Sequence, residues 1–155
     1  MADGEAAVLA IDGGNSKTDL ALVGWDGTVL ASLRGPGASH EDYGIDGALS
    51  RLGDLIRTTA GKAGIDGSGA IAPHISACLA GADLPEEEAA LTVALLAGGW
   101  SQTAVAVNDT FAVLRGGRQR VAAALLAHPL IGQYELAEKM TDRMLTENAR
   151  FLSWA

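Results

Sequence analysis

The sequence predicts an α/β domain in which a three-stranded antiparallel meander precedes alternating helices and strands. Short apolar runs that end at glycines are typical of buried strands. Asp26-Gly27 lies between two runs of alternating polar and apolar residues, which predicts a tight hairpin turn. Apolar residues at helical spacing follow the meander. A meander followed by βαβ units forms a mixed sheet covered by helices.

The elements are predicted in the order β-β-β-α-β-α-β-α. The first helix ends where Gly61 and Gly64 interrupt the pattern, and the second begins at Pro85 with three glutamates after it. Proline and acidic residues favour a first helical turn, which lacks hydrogen-bond partners for its N–H groups and attracts negative charge. The strands are predicted at residues 7–12, 18–24, 28–33, 74–79 and 103–107, and the helices at 45–60, 85–95 and from 110.

Composition limits the classes of function. The 155 residues, 48% of them hydrophobic, suffice for one compact domain but not for two domains and a cleft. The net charge of -8 and the scattered basic residues argue against nucleic-acid binding. Cys78 is the single cysteine, so one chain can form no disulfide framework. Without a signal-peptide pattern or a long apolar run, we expect a cytoplasmic protein that does not span a membrane.

The first motif, IDGGNSKTDLAL at residues 11–22, joins a strand to a returning strand through a Gly-Gly turn. It is not a P-loop, because Ser16 stands where that motif requires glycine before Lys17. Glycines allow a backbone to approach a phosphate closely, and Asp12 at the strand end could hold Mg²⁺ through water. Three side chains could donate to phosphate oxygens: Ser16, Lys17 and Thr18. An ordinary glycine-rich hairpin remains the alternative.

This motif resembles the first phosphate loop of the actin/hexokinase superfamily, particularly that of the N-acetylglucosamine kinases and the BadF/BadG-type ATPases. The resemblance covers about residues 7–117. It implies a ribonuclease H-like (actin-like ATPase) domain, whose mixed five-stranded sheet has the order 3-2-1-4-5 with helices on both faces. It also implies ATP and Mg²⁺ as cofactors and an amino sugar such as N-acetylglucosamine as the acceptor. The implied phosphate-binding residues are Gly13, Gly14, Asn15, Ser16, Lys17 and Thr18.

Two further segments resemble parts of the sugar site in that family. GPGASHEDYG, residues 35–44, resembles a sugar-contacting loop in which Ser39 and His40 match the contact positions. A surface loop with a solvated histidine is the alternative. CLAGAD, residues 78–83, resembles the floor of the cleft and implies that Gly81 faces the sugar. Asp83 is predicted to cap the following helix rather than to bind a ligand.

VNDTFAVLRGG, residues 107–117, resembles the segment that carries the family's catalytic aspartate. The resemblance implies that Asp109 is the general base for the acceptor hydroxyl, and that Asn108 could bind the sugar. Asp109 could instead cap the next helix, and the two roles can coexist.

The chain is predicted to divide into a kinase N-terminal domain, residues 1–117, and a helical C-terminal segment, residues 118–155. The latter includes an amphipathic helix at about 133–153. The second kinase domain, with its own phosphate loop and adenosine segment, is not recognised. We therefore expect a truncated chain that is inactive alone, and that could form a homodimer or pair with a separate second domain.

Two other functions remain open at this stage. The chain could be a non-enzymatic remnant or a regulatory binding module of the same fold. It could also be a dehydratase-activating ATPase, although such proteins hold an iron–sulfur cluster through cysteines and Cys78 lies alone in a predicted strand.

Overall fold

The computed structural model describes residues 5–110, so the predicted helical segment 118–155 lies outside the described residues. The described residues belong to the first of two compact units, Met1–Ala112. Within them, no helix is long and apolar enough to cross a membrane. The elements are β1 (Ala6–Gly13), β2 (Lys17–Gly24), β3 (Val29–Pro36), α1 (His40–Lys62), β4 (His74–Leu79), α2 (Pro85–Ala97) and β5 (Thr103–Asn108).

The five strands form one mixed sheet in the order β3-β2-β1-β4-β5, which confirms the predicted order. β2 is antiparallel to both of its neighbours, β1 and β3. β4 is parallel to both β1 and β5. The three parallel strands therefore end together, with Gly13, Leu79 and Asn108 in register across them. This shared carboxyl edge is where α/β sheets commonly bind ligands.

One face of the sheet carries the core. Along β1, Leu9 and Ile11 are buried, whereas Val8 and Ala10 on the other face are half-buried. Both described helices contribute to the same buried cluster and contact each other. Each large side chain fully buried there contributes about 1.5–3 kcal/mol. A helix on the opposite face would have to come from beyond residue 110, outside the described residues. The largest core side chains that are fully buried are Leu9, Leu22, Leu52, Ile56, Ile75 and Leu95.

Helix α1 begins five residues before its predicted start at residue 45. The hydroxyl oxygen of Ser39 accepts a hydrogen bond from the N–H of Glu41 at 3.2 Å, so Ser39 is the N-cap. Gly44 then interrupts the helix with φ 66° and ψ 171°, and the predicted start coincides with the part beyond this kink. The segment predicted as a loop at 35–44 is therefore mostly the end of β3 and the first turn of α1.

The start of helix α2 corrects the prediction for Asp83. Leu84 occupies the N-cap position, and the capping group is instead the carboxylate of Glu87. Its Oε2 accepts hydrogen bonds from the backbone N–H groups of Asp83 and Leu84, at 3.0 and 2.9 Å. A glutamate at the third helical position can reach back to these unpaired donors, which leaves the side chain of Asp83 available elsewhere.

Candidate functional site

The sequence motifs meet at the carboxyl edge of the parallel strands. Asp12 is the penultimate residue of β1, and Asp109 directly follows the end of β5. Gly13, Leu79 and Asn108 are in register, so the two aspartates lie at the same edge with only β4 between their strands. At about 4.8 Å per strand, β1 and β5 are roughly 10 Å apart. The two carboxylates therefore belong to strands separated by the width of one strand at the same edge of the sheet.

The turn between β1 and β2 presents unused polar groups to solvent. The N–H of Gly14 donates to the carbonyl oxygen of Lys17 at 2.8 Å and closes the turn. The side chains of Asn15, Ser16 and Lys17 are exposed and make no hydrogen bond or ion pair within residues 5–110. An amide, a hydroxyl and an ammonium group are therefore available together to an anionic ligand.

Two of the predicted ligand-binding side chains are buried instead. Thr18 is 0% exposed and lies on the helix-covered face of the sheet, opposite Gly13. Its hydroxyl cannot reach a phosphate at the loop surface, so the predicted donor role does not fit this position. Ser39 is 3% exposed, and its hydroxyl oxygen is occupied by the N–H of Glu41. Ser39 therefore shapes the start of α1 rather than facing the site.

The segment after β3 packs directly on the first turn. A Cβ at Gly37 would overlap the carbonyl group of Asn15 and lie 3.0 Å from the carbonyl oxygen of Gly14. The N–H of Ala38 also donates to that oxygen at 3.2 Å. Only glycine permits this approach of two backbones. Sequence analysis missed the importance of Gly37, although its place in a Gly-Pro-Gly segment was a signal.

The third motif joins the other two. The N–H of Ala80 donates to the carbonyl oxygen of Gly13 at 2.7 Å, which fixes the third motif against the first. Gly81 has φ +80°, and a Cβ there would lie 2.9 Å from Cε1 of His40 and 2.7 Å from Cγ of Glu41. The structure thus brings together His40 and Gly81, two of the predicted sugar-contacting residues. His40 is half-buried, so part of its ring remains accessible.

The end of β5 is held by hydrogen bonds of Asn108. The Nδ2 group of Asn108 donates to the carboxylate of Asp83. Its Oδ1 accepts the N–H of Thr110 at 2.9 Å, so this turn contact belongs to Asn108 and not to Asp109. One N–H of the Asn108 amide remains for a ligand. Asp109 is half-buried, and its carboxylate has no hydrogen bond or ion pair within the described part of the chain.

A pair of opposite charges lies beside Asp12. Asp19 is directly opposite Asp12 across β1 and β2, and Arg34 donates from Nε and Nη2 to its two oxygens at 2.6 and 2.7 Å. The hydrogen bonds from Arg34, assisted by its charge, hold the pKa of Asp19 below 3.8 against the opposing effect of desolvation. Arg34 therefore neutralises Asp19 and relieves its repulsion of Asp12. Sequence analysis missed this pair, which depends on the register of β2 and β3.

The donor set fits a Mg²⁺ ion that arrives with a phosphate ligand better than a permanent metal centre. No cluster of three or more His, Cys, Asp or Glu side chains able to hold a metal occurs in residues 5–110. Mg²⁺ commonly keeps several waters and uses one or two carboxylates together with substrate phosphates. Asp12 is an exposed carboxylate at the strand end and suits that mode.

The sheet order is that of the ribonuclease H-like fold. A structural match is a protein of Chromobacterium violaceum provisionally named an N-acetylglucosamine kinase. The match has a TM-score of 0.58 at 19% identity and covers 74% of this chain but 39% of that one. It confirms the predicted resemblance at the level of the fold. No protein-family model and no curated protein matches the chain.

Proposed function

We propose that residues 1–117 are the N-terminal domain of an ATP-dependent amino-sugar kinase, with N-acetylglucosamine or a related hexosamine as the acceptor. The observation that carries this proposal is the meeting of the four motifs at one edge of the sheet. The turn between β1 and β2 and the carboxylates of Asp12 and Asp109 lie along that edge. The similarity to a protein provisionally named as such a kinase supports this assignment.

The turn between β1 and β2 would hold the phosphates of ATP. Its backbone N–H groups, the hydroxyl of Ser16 and the ammonium group of Lys17 supply donors and positive charge. The carboxylate of Asp12 would hold Mg²⁺ through water molecules. Bound Mg²⁺-ATP supplies the phosphoryl group and neutralises charge as that group is transferred.

The end of β5 and the two packed loops would hold the sugar. The carboxylate of Asp109 accepts the proton of the acceptor hydroxyl, a role that typically contributes about 10²–10⁴-fold to the rate. The remaining N–H of Asn108, the imidazole of His40 and the backbone at Gly81 orient the sugar. Asp109 suits the role of base because no internal cation or donor in the described residues occupies its oxygens.

The chain covers 39% of the similar structure, so the complete reaction is proposed for a larger assembly. A second domain, from another part of the protein or from another chain, would close over the nucleotide and exclude water. We expect the 155-residue chain to bind ligands weakly and to turn over far below the typical ~10 s⁻¹. Ligand binding without turnover, even in the presence of a second domain, would favour the regulatory binding module.

Amide chemical shifts of the ¹⁵N-labelled chain test the proposal directly. Mg²⁺-ATP should shift signals at residues 13–17, and N-acetylglucosamine should shift signals at His40, Gly81 and Asn108. Asp12→Asn should weaken Mg²⁺-ATP binding about tenfold, since a charged interaction is lost. Asp109→Asn should leave folding and nucleotide binding intact. Shifts at another surface, or none at millimolar ligand, would contradict the proposed function.

A further inference from the structure

Helix α2 places two side chains on the outer edge of β5. Strand β5 ends the described sheet and pairs only with β4. The N–H of Ala106 donates to Oγ1 of Thr92 at 2.9 Å, and the N–H of Asn108 donates to Oε1 of Glu88 at 3.3 Å. Four helical residues rise about 6 Å and two strand residues about 6.6 Å, so the two spacings match. The helix thus supplies acceptors to alternate N–H groups of the edge strand.

The segment just before α2 also holds the side chain of Asn108 at the end of β5. The carboxylate of Asp83, just before α2, accepts a hydrogen bond from the amide group of Asn108. Glu87 in turn accepts the backbone N–H of Asp83 at 3.0 Å, which fixes the position of Asp83. Asp83 and Glu88, which we call the Asn108 clamp, therefore bind both the side chain and the backbone of one residue.

The carboxylate of Glu88 lies in a buried position, where it needs compensating interactions. Glu88 is 8% exposed, and a buried carboxylate is unfavourable unless hydrogen bonds and local charge compensate it. Its place in the first turn of α2 provides part of that compensation through the helix dipole. The N–H of Asn108 provides a specific partner. An apolar side chain could pack here, but it would leave that N–H without an acceptor.

The clamp acts on the residue before Asp109. The amide oxygen of Asn108 also accepts the N–H of Thr110, so Asn108 spans Asp109 by a hydrogen bond to the residue beyond it. Asp109 itself has no such contact in the described residues. The hydrogen bonds of Asn108 therefore fix the backbone on both sides of Asp109.

We propose that Asp83 and Glu88 are positioning residues, which hold the Asn108–Asp109 segment in the conformation that receives the sugar. The role of that segment rests on the proposed function. The clamp itself is a property of the ligand-free chain, so the two can be tested separately.

Hydrogen exchange of the ligand-free chain measures the clamp. Glu88→Ala should accelerate exchange of the Asn108 amide at least about tenfold, and Glu88→Gln, which keeps an acceptor, should largely restore it. Thr92→Val is the matched control one turn away, and it should accelerate exchange at Ala106 but not at Asn108. Asp83→Ala, a change at an exposed position, should move the side-chain amide signals of Asn108 toward solvent-exposed values. Unchanged Asn108 signals in both alanine variants would overturn the clamp.

Titration with N-acetylglucosamine then tests the positioning role. Asp83→Ala and Glu88→Ala should weaken binding about tenfold, while Thr92→Val and Glu88→Gln stay within about twofold of the parent chain. Equal binding by all four variants, with Asn108 exchange altered, would overturn the positioning role and leave the proposed function standing. A parent chain that binds no sugar would overturn the positioning role and the proposed function together. The exchange data alone would then decide whether the clamp exists.

Discussion

The two hairpins at opposite ends of β2 differ in what stabilises them. The β2–β3 hairpin is closed by its own residues, because Oδ1 of Asp26 accepts hydrogen bonds from the N–H and hydroxyl of Thr28 at 3.0 and 2.7 Å. Gly27 has φ +84°, and a Cβ there would meet nothing within 4 Å. The β2–β3 hairpin therefore requires glycine at this position because of the positive φ angle and not because of close contacts.

The β1–β2 hairpin is closed by a backbone hydrogen bond from Gly14 to Lys17, but neighbouring segments also enclose it. None of its residues has a positive φ, and its close contacts come from the backbone at Gly37 and Ala38. The side chains of Asn15 and Ser16 make no hydrogen bond within residues 5–110. The comparison teaches that the second turn uses its polar side chains internally. The first turn is supported by neighbouring backbone and leaves the side chains of Asn15 and Ser16 without hydrogen bonds in the described residues.

The largest expected effect follows from breaking that outside support. Gly37→Ala should lower the free energy of unfolding by about 3 kcal/mol, because its Cβ overlaps backbone that cannot rotate away. Urea unfolding followed by the fluorescence of buried Trp100 would measure the loss. Gly61→Ala is the control, since its Cβ meets nothing and alanine favours a helix by about 0.5–1 kcal/mol.

Gly27→Ala in the other hairpin makes the comparison quantitative. It should cost about 1–2 kcal/mol, the usual penalty for a left-handed conformation, with no clash added. If Gly27→Ala costs as much as Gly37→Ala, the supposed difference between the two hairpins is wrong.

A smaller effect is expected at Thr18, beneath the first hairpin. Its buried hydroxyl has no hydrogen-bond partner in the described structure, so Thr18→Val should be neutral or raise the free energy of unfolding by about 1 kcal/mol. Mg²⁺-ATP binding should be unchanged, whereas Lys17→Met should weaken it. A destabilised Thr18→Val variant with reduced ATP affinity would show that this hydroxyl does serve the loop.

The smallest effect is the pH dependence of the second hairpin. The backbone and side-chain hydrogen bonds from Thr28 hold the pKa of Asp26 below 3.8. A lowered pKa stabilises the fold above the unfolded value, and this contribution is lost as the pH falls through the folded value. The parent chain should therefore lose slightly more Tm than Asp26→Asn between about pH 5 and about pH 2.5. Parallel Tm curves for the two proteins would show that ionisation of Asp26 contributes no net stability.

Two features of the site could have been predicted from the sequence. The alternation of Thr18, Leu20 and Leu22 already places the threonine on the face of the two buried leucines. The donor role predicted for Thr18 rested on its residue type and its place in the motif, and it did not take this alternation into account. Ser39 followed by Glu41 and Asp42 is likewise an N-cap with an acidic first turn, although Gly44 concealed the helix start.

The amino-acid sequence by itself determined the five strands, the hairpin at Asp26-Gly27 and the edge at which the motifs collect. These follow from local periodicity, turn chemistry and the rule that parallel strands end together. Tertiary structure alone decided the partners of the polar side chains, including Arg34 with Asp19 and Asn108 with Asp83. Such pairs join residues 15 and 25 positions apart, so they depend on strand register and helix docking. A hydrogen bond needs its two atoms within about 3 Å, and residue type and spacing do not specify position that closely.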